Sequence, residues 1–216
     1  LSIVAGYQNL GRLYRGIIEN NLRQYVHLGD AATMTDGRKY NPSLKNGALN
    51  ATESGVLDDR FVFTENNPMR ELTTARCLAA SSRALKGFND TLSVQCLNIA
   101  RALYNSVDNN ASPWIGTMKL GTAVELFLTT GEQAYRQDIL KYTTPEILKR
   151  KEAIASIGQA LNKINDKKLT DMVTAAAMNY KTELDKLQAE NPFGVPYHPY
   201  IWGDGWNIQS FAVNQY

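Results

Sequence analysis

The chain has 216 residues, with 23 Lys and Arg against 21 Asp and Glu, and a formal net charge of +2. So near a balance gives no electrostatic case for nucleic acid or an anionic membrane surface as partner. No apolar run approaches the ~20 residues of a bilayer-spanning helix, and the length suits one domain, 1–216, with a sizeable core.

In chain order, Leu1 to Tyr25 carries apolar residues in steps of three and four, among them Ile3, Tyr7, Leu10, Tyr14, Ile17 and Ile18. That spacing predicts an amphipathic helix, or two separated near Gly16. Periodicity then stops. From about 29 to 67 the chain is rich in Gly, Asp, Asn and Thr, and so long an aperiodic stretch in a compact domain reads as a functional loop. It holds Asp30, Asp36 and the run Asp58-Asp59-Arg60. Adjacent carboxylates beside an arginine suit sugar hydroxyls; Asp in loops also commonly caps turns. Phe61-Val62-Phe63-Thr64 alternates weakly, as a short strand or an extended plug would.

Helical pattern resumes at Asn67-Pro68, with Pro in the first turn and Glu71 just inside, and runs to Gly87. Asn89-Asp90-Thr91 opens the next helix, close enough for an antiparallel hairpin. A third starts at Pro113-Trp114 and ends at Gly131, with its partner beginning at Glu132 to Tyr135. Pro145 opens a helix to about Ile164, and Lys167 to Leu187 forms the last long one. Strand signals are nearly absent, so the predicted class is all-α, built of helical hairpins. Cys77 and Cys96 lie on neighbouring helices; packed axes stand ~8–10 Å apart, whereas a disulfide needs Cα atoms ~4.4–6.8 Å apart, so buried free thiols are expected. His27 and His198 are distant in sequence, and no Cys/His pair has metal-ligand spacing.

The stretch 191–206 concentrates Pro192, Pro196 and Pro199 with Phe193, Tyr197, Tyr200, Trp202 and Trp206, and includes His198. Prolines stop any regular helix here and hold the rings on a stiff, extended segment. Asp204 is placed to cap a final helix through Phe211 and Val213. Such a loop suits the stacking of flat ligands such as sugar rings; the alternative is that its aromatics plug the end of a helical core.

Leu-Phe-Leu-Thr-Thr-Gly-Glu-Gln-Ala-Tyr (126–135) resembles the helix-turn-helix signature of the six-hairpin, (α/α)6-barrel glycosidases. Asp-Asp-Arg-Phe-Val-Phe-Thr (58–64), Asn-Pro-Phe-Gly-Val-Pro-Tyr (191–197) and Ile-Trp-Gly-Asp-Gly-Trp (201–206) are similar to glycoside hydrolase family nine, the cellulase family, and its Bacteroidetes-type members in particular. The resemblance implies part of an (α/α)6 toroid and hydrolysis of β-linked glucans by inversion, with two carboxyl groups ~6.5–9.5 Å apart around a water. It also implies an extracellular, periplasmic or cell-surface location, where polymeric glucans are. The family's catalytic base belongs to an early Asp-Ala-Gly-Asp type motif and its acid is a late Glu; neither motif occurs here. The chain is therefore expected to be a central part of a catalytic domain, with no catalytic residue of its own. Its expected role is cleft wall and sugar subsites, through Trp206, Trp202, Tyr197, His198, Tyr200, Asp204, Asp58, Asp59 and Arg60.

Two departures from the family pattern matter. The arginine usual four positions after Trp206 is Ser210, and the calcium-binding Asp-Glu pair corresponds to Thr117 and Met118, so neither a metal nor another cofactor is expected. A part of a toroid should also expose helix faces, to meet the remaining hairpins or a second copy. Two other readings stay open: a non-catalytic helical-hairpin module binding carbohydrate or protein, and a six-hairpin glycosidase acting on a different glycan.

Overall fold

The computed structural model describes residues 1–18, 26–27, 38–56, 61–108, 112–198 and 203–215, and these are mostly helical. Contacts divide the chain into two compact units, Leu1–Asn67 and Pro68–Tyr216.

In the first unit, helix α1 (Ser2–Leu10) stops at Gly11, whose φ of 69° is left-handed and whose N–H donates to the Tyr7 carbonyl. The helix expected to reach Tyr25 is thus cut short. The cause lies far along the chain: β1 (Gly16–Ile18) and β2 (Val26–His27) pair antiparallel with the two edges of β5 (Phe61–Thr64), in the order β1-β5-β2. Gly16 faces Phe63 and Ile18 faces Phe61; β-branched Ile17 and Ile18 suit a pleated strand as well as a helical stripe. The Thr64 hydroxyl donates to the Leu13 carbonyl, tying the chain between α1 and β1 to the sheet. Of the two readings of 61–64, the strand is the observed one.

The aperiodic stretch is ordered by its own polar groups where it is described. Two-residue strands β3 (Lys39–Tyr40) and β4 (Glu53–Ser54) pair in parallel. The Glu53 carboxylate accepts from the amides of Asn41 (3.1 Å) and Asn50 (3.0 Å), and those two bonds hold it below the usual carboxylate range. Strand among the described residues is confined to this unit, in five segments of two to four residues, and the described chain is mostly helical, as expected of an all-α class.

The second unit begins with α2 (Pro68–Leu85), followed through Gly87 (φ 83°) by α3 (Asp90–Ser106). The Asn89 side chain caps α3, accepting from Leu92 N–H at 3.0 Å. Helix α4 (Pro113–Thr130) is the axis of the unit, packed against α2, α3, α5 (Gln133–Tyr142) and α6 (Lys151–Gly158). From Lys119 to Phe127 every residue of α4 is buried, so neighbours cover it on all sides. The Thr122 and Thr129 hydroxyls reach across to carbonyls of Leu72 and Ala79 on α2. At the end of α4, Gly131 has a φ of 73° and donates to the Phe127 carbonyl at 2.8 Å. Replacing Gly131 with alanine should cost about 1 kcal/mol of unfolding free energy, because a Cβ strains the left-handed conformation. Urea unfolding checks this; an unchanged midpoint would remove the strain argument.

The helix predicted from Pro145 to Ile164 is broken. A 3₁₀ turn (Ile147–Lys149) leads to an extended Arg150 (ψ 119°), then α6, then the single turn α7 (Leu161–Ile164) closed by left-handed Asn165. Ile147, Leu148, Ala153, Ile157, Ala160 and Ile164 are all buried, and no single straight helix presents that set. The 24-residue α8 (Lys167–Glu190), capped by Asp166, and α9 (Asp204–Gln215) complete the unit. Both cysteines are free; Cys96 is buried as expected, but Cys77 is exposed, because α2 turns Leu72, Ala75, Leu78 and Ala79 inward.

Candidate functional site

Helix α8 stops at Glu190 because Pro192 has no N–H to continue it. Asn191 then organises the loop. Its side-chain oxygen accepts from Phe193 N–H (2.9 Å), its carbonyl accepts from Gly194 N–H (2.9 Å), and its amide donates to the Tyr197 carbonyl (3.4 Å). Gly194 at φ 66° completes a turn. The segment expected to be extended therefore turns first, and Tyr197 and His198 follow it.

Tyr197 is packed onto α9. Its ring meets that of Phe211 at a centroid distance of 5.4 Å and a tilt of 60°. Partial burial, and then the Asp204 carboxylate that accepts its hydroxyl hydrogen bond, push the Tyr197 phenol above its ordinary pKa. Asp204 is the first residue of α9; Gly203 precedes it and its carbonyl accepts from the N–H groups of Trp206 and Asn207. The Asp204 carboxylate thus stands at the helix start, where a cap was expected, and also fastens the loop to it through Tyr197.

Between this loop, α9 and the starts of α4 and α6 lies an open cleft of about 1050 Å³. Trp114 and Tyr197 supply ring surface; Glu152, Asn207, Gln209 and Asn214 supply donors and acceptors, with His198, Ser210 and Lys151 beside them. Trp114 projects from the first turn of α4 with the Arg150 guanidinium 5.1 Å from its ring, and Lys151 Nζ lies 5.9 Å from the Phe211 ring. Amides next to an aromatic face match a ligand that is flat and rich in hydroxyls, since each amide both donates and accepts.

A separate cluster of buried ionisable groups is structural. Lys119 on α4 is 4% exposed and donates to the carbonyls of Tyr104 (2.6 Å) and Val107 (2.7 Å), closing the end of α3. Its ammonium also lies 4.2 Å from the Tyr104 ring centre, and the Tyr104 hydroxyl donates to Asp138 at 2.8 Å. Burial lowers the Lys119 pKa; burial, then Asp138, raises that of Tyr104. In the same manner Lys163 donates to the last-turn carbonyls of Phe127 and Leu128 in α4. Thr117 donates back to Pro113 at 3.2 Å, and no group of three or more His, Cys, Asp or Glu among the described residues is placed to hold a metal.

Of the residues expected at the site, Tyr197 and His198 line the cleft, and Asp204 touches it through Tyr197. Trp206 is 82% exposed on α9 and is not part of the cleft wall. Tyr200, Trp202, Asp58, Asp59 and Arg60 lie outside the described residues. Sequence reasoning missed Trp114, Lys151, Glu152 and the amide face of α9. One signal was legible: after Asp204, α9 carries no charge but several amides, unusual for an exposed helix. Comparison of the chain with protein-family models, with curated proteins and with solved structures returns no match in any of the three.

Proposed function

We propose that the cleft binds a chain of β-linked glucose units, and that the protein is part of an inverting glycoside hydrolase of the family-nine type built on an (α/α)6 toroid. The observation that carries this reading is the convergence of Trp114 and Tyr197 with the amides of α9 in one open cleft. It meets the independent likeness of 58–64, 126–135 and 191–206 to that family. The segment supplies subsites; the carboxyl pair that inverting hydrolysis requires belongs to family motifs that these 216 residues do not contain. Exposed Trp206, Ile208 and Val213 on α9 favour a further partner there, either another hairpin of the same toroid or a second copy.

Titration of the protein with cello-oligosaccharides tests the reading. Binding is expected, and Trp114→Ala should weaken it about fivefold, since loss of one aromatic contact costs roughly 1 kcal/mol. Binding that is absent, or indifferent to both Trp114→Ala and Tyr197→Ala, would remove the cleft from carbohydrate recognition. The chain alone should not turn over soluble β-glucan; turnover abolished by Asp204→Asn would place catalysis inside it.

A further inference from the structure

One cation of the cleft wall, Lys151, and its chain neighbour Arg150, set against the wall residue Trp114, form no ion pair among the described residues. Arg150 and Lys151 are half-buried neighbours at the start of α6. Lys149, one residue earlier, is paired with Glu146 at 2.7 Å, and Glu146 feels Arg150 only through space. Neither Arg150 nor Lys151 has a carboxylate within ion-pair distance among the described residues. Each is set against a ring instead, Arg150 against Trp114 and Lys151 against Phe211.

A ring face orients a cation without cancelling its charge, so the guanidinium and ammonium stay available to an anion. Phe211 in turn supports Tyr197. The two charges therefore flank the two rings that would stack a sugar. Glu152, the one carboxylate of the wall, makes no ion pair with either, and the planar guanidinium fork suits a carboxylate more closely than it suits a hydroxyl.

We infer that, within the carbohydrate reading on which this rests, the cleft selects a sugar bearing a carboxylate, a uronic acid unit in the glycan, over a neutral glucose unit. The bound carboxylate would sit at Lys151 on the cleft wall, with its ring against Trp114 or Tyr197.

The test compares three oligomers with one β-1,4-linked backbone: cello-oligosaccharide, the same oligomer oxidised at C6 to glucuronate, and the same oligomer sulfated at C6. At low salt the glucuronate form should bind about tenfold more tightly than the neutral one, the scale of one added charge-assisted hydrogen bond. That preference should fall in Lys151→Gln and in raised salt, and persist in Lys151→Arg, with circular dichroism establishing that each variant is folded. Equal affinity for neutral and glucuronate oligomers overturns the inference and leaves the carbohydrate reading standing. Failure of all three to bind overturns both. A sulfated oligomer that binds as tightly as the glucuronate, or a preference unmoved by Lys151→Gln, overturns the carboxylate assignment.

Discussion

Replacing Lys119 with methionine should destabilise the protein by about 3 kcal/mol. Two effects oppose each other. The substitution relieves the burial of an ammonium group, which favours the variant. It also leaves the carbonyls of Tyr104 and Val107, now held at 2.6 and 2.7 Å, without their charged donor at the end of α3. A hydrogen bond from a charged group contributes roughly 1.5–3 kcal/mol, and a buried polar group left unpaired costs roughly 1–3 kcal/mol. Two orphaned carbonyls therefore outweigh one relieved charge. Methionine keeps most of the stem volume, so the loss reports the donor and not a cavity. The urea midpoint measures it, and a variant as stable as the parent would mean that Lys119 does not close α3.

The second large effect is a loss of stability at high pH, centred on the same cluster. Burial raises the phenol pKa of Tyr104, Tyr135 and Tyr142; Asp138 raises all three further, while Arg101 works against it at Tyr135. A folded pKa above the unfolded value means that stability is complete below about pH 10, the ordinary tyrosine value, and falls above it as the unfolded chain loses protons the folded one keeps. Tyr104 alone should contribute a slope of about 1.4 kcal/mol per pH unit there. Lys119 acts in the opposite sense and earlier: with its folded pKa lowered, its burial penalty is full at low pH and is relieved as pH rises towards its ordinary value of about 10.4. Unfolding free energies from pH 8 to 11.5 should turn downward near pH 10. Tyr104→Phe should be less stable at neutral pH, having lost the bond to Asp138, yet flatter in the alkaline range. A variant with the parent's alkaline slope would place the proton release elsewhere.

What the sequence disclosed follows the range of the interactions involved. The starts at Pro68, Asn89 and Pro113 and the stop at Gly131 are written in local chemistry, by a fixed φ, a side-chain cap or a left-handed glycine, and the structure places them as expected. The end of α1 was hidden because Ile17 and Ile18 continue a helical spacing. Only the pairing with Phe61–Thr64, more than forty residues on, makes them a strand. The break at Arg150 was equally hidden, since neither Gly nor Pro marks it. The site divides in the same way. Tyr197 and His198 belong to a loop that proline and aromatic composition announce, whereas Trp114 and Lys151 reach the cleft only because α4 and α6 pack there.

Helix α8 has one more consequence. Only Leu169 and Val173 of its 24 residues are buried, and beyond Val173 none is. At ~1.5 Å per residue the helix is about 36 Å long; it packs on α6 and the turn at Ile147–Lys149, where Met172, Ala176 and Tyr180 share an open hollow with Leu148 and Ile154, and the Lys181–Asp185 pair lies farther out. Amide protons of the first turns should exchange with solvent only when the whole unit opens, and those near Glu190 through fraying, with a gradient between. Burial thins towards the tip of the helix, and the loop that follows it is tied instead to α9, by Tyr197 against Phe211 and Asp204. The wall that carries Tyr197 therefore takes its position from α9 more than from the tip of α8, so fraying near Glu190 should leave the shape of the cleft intact.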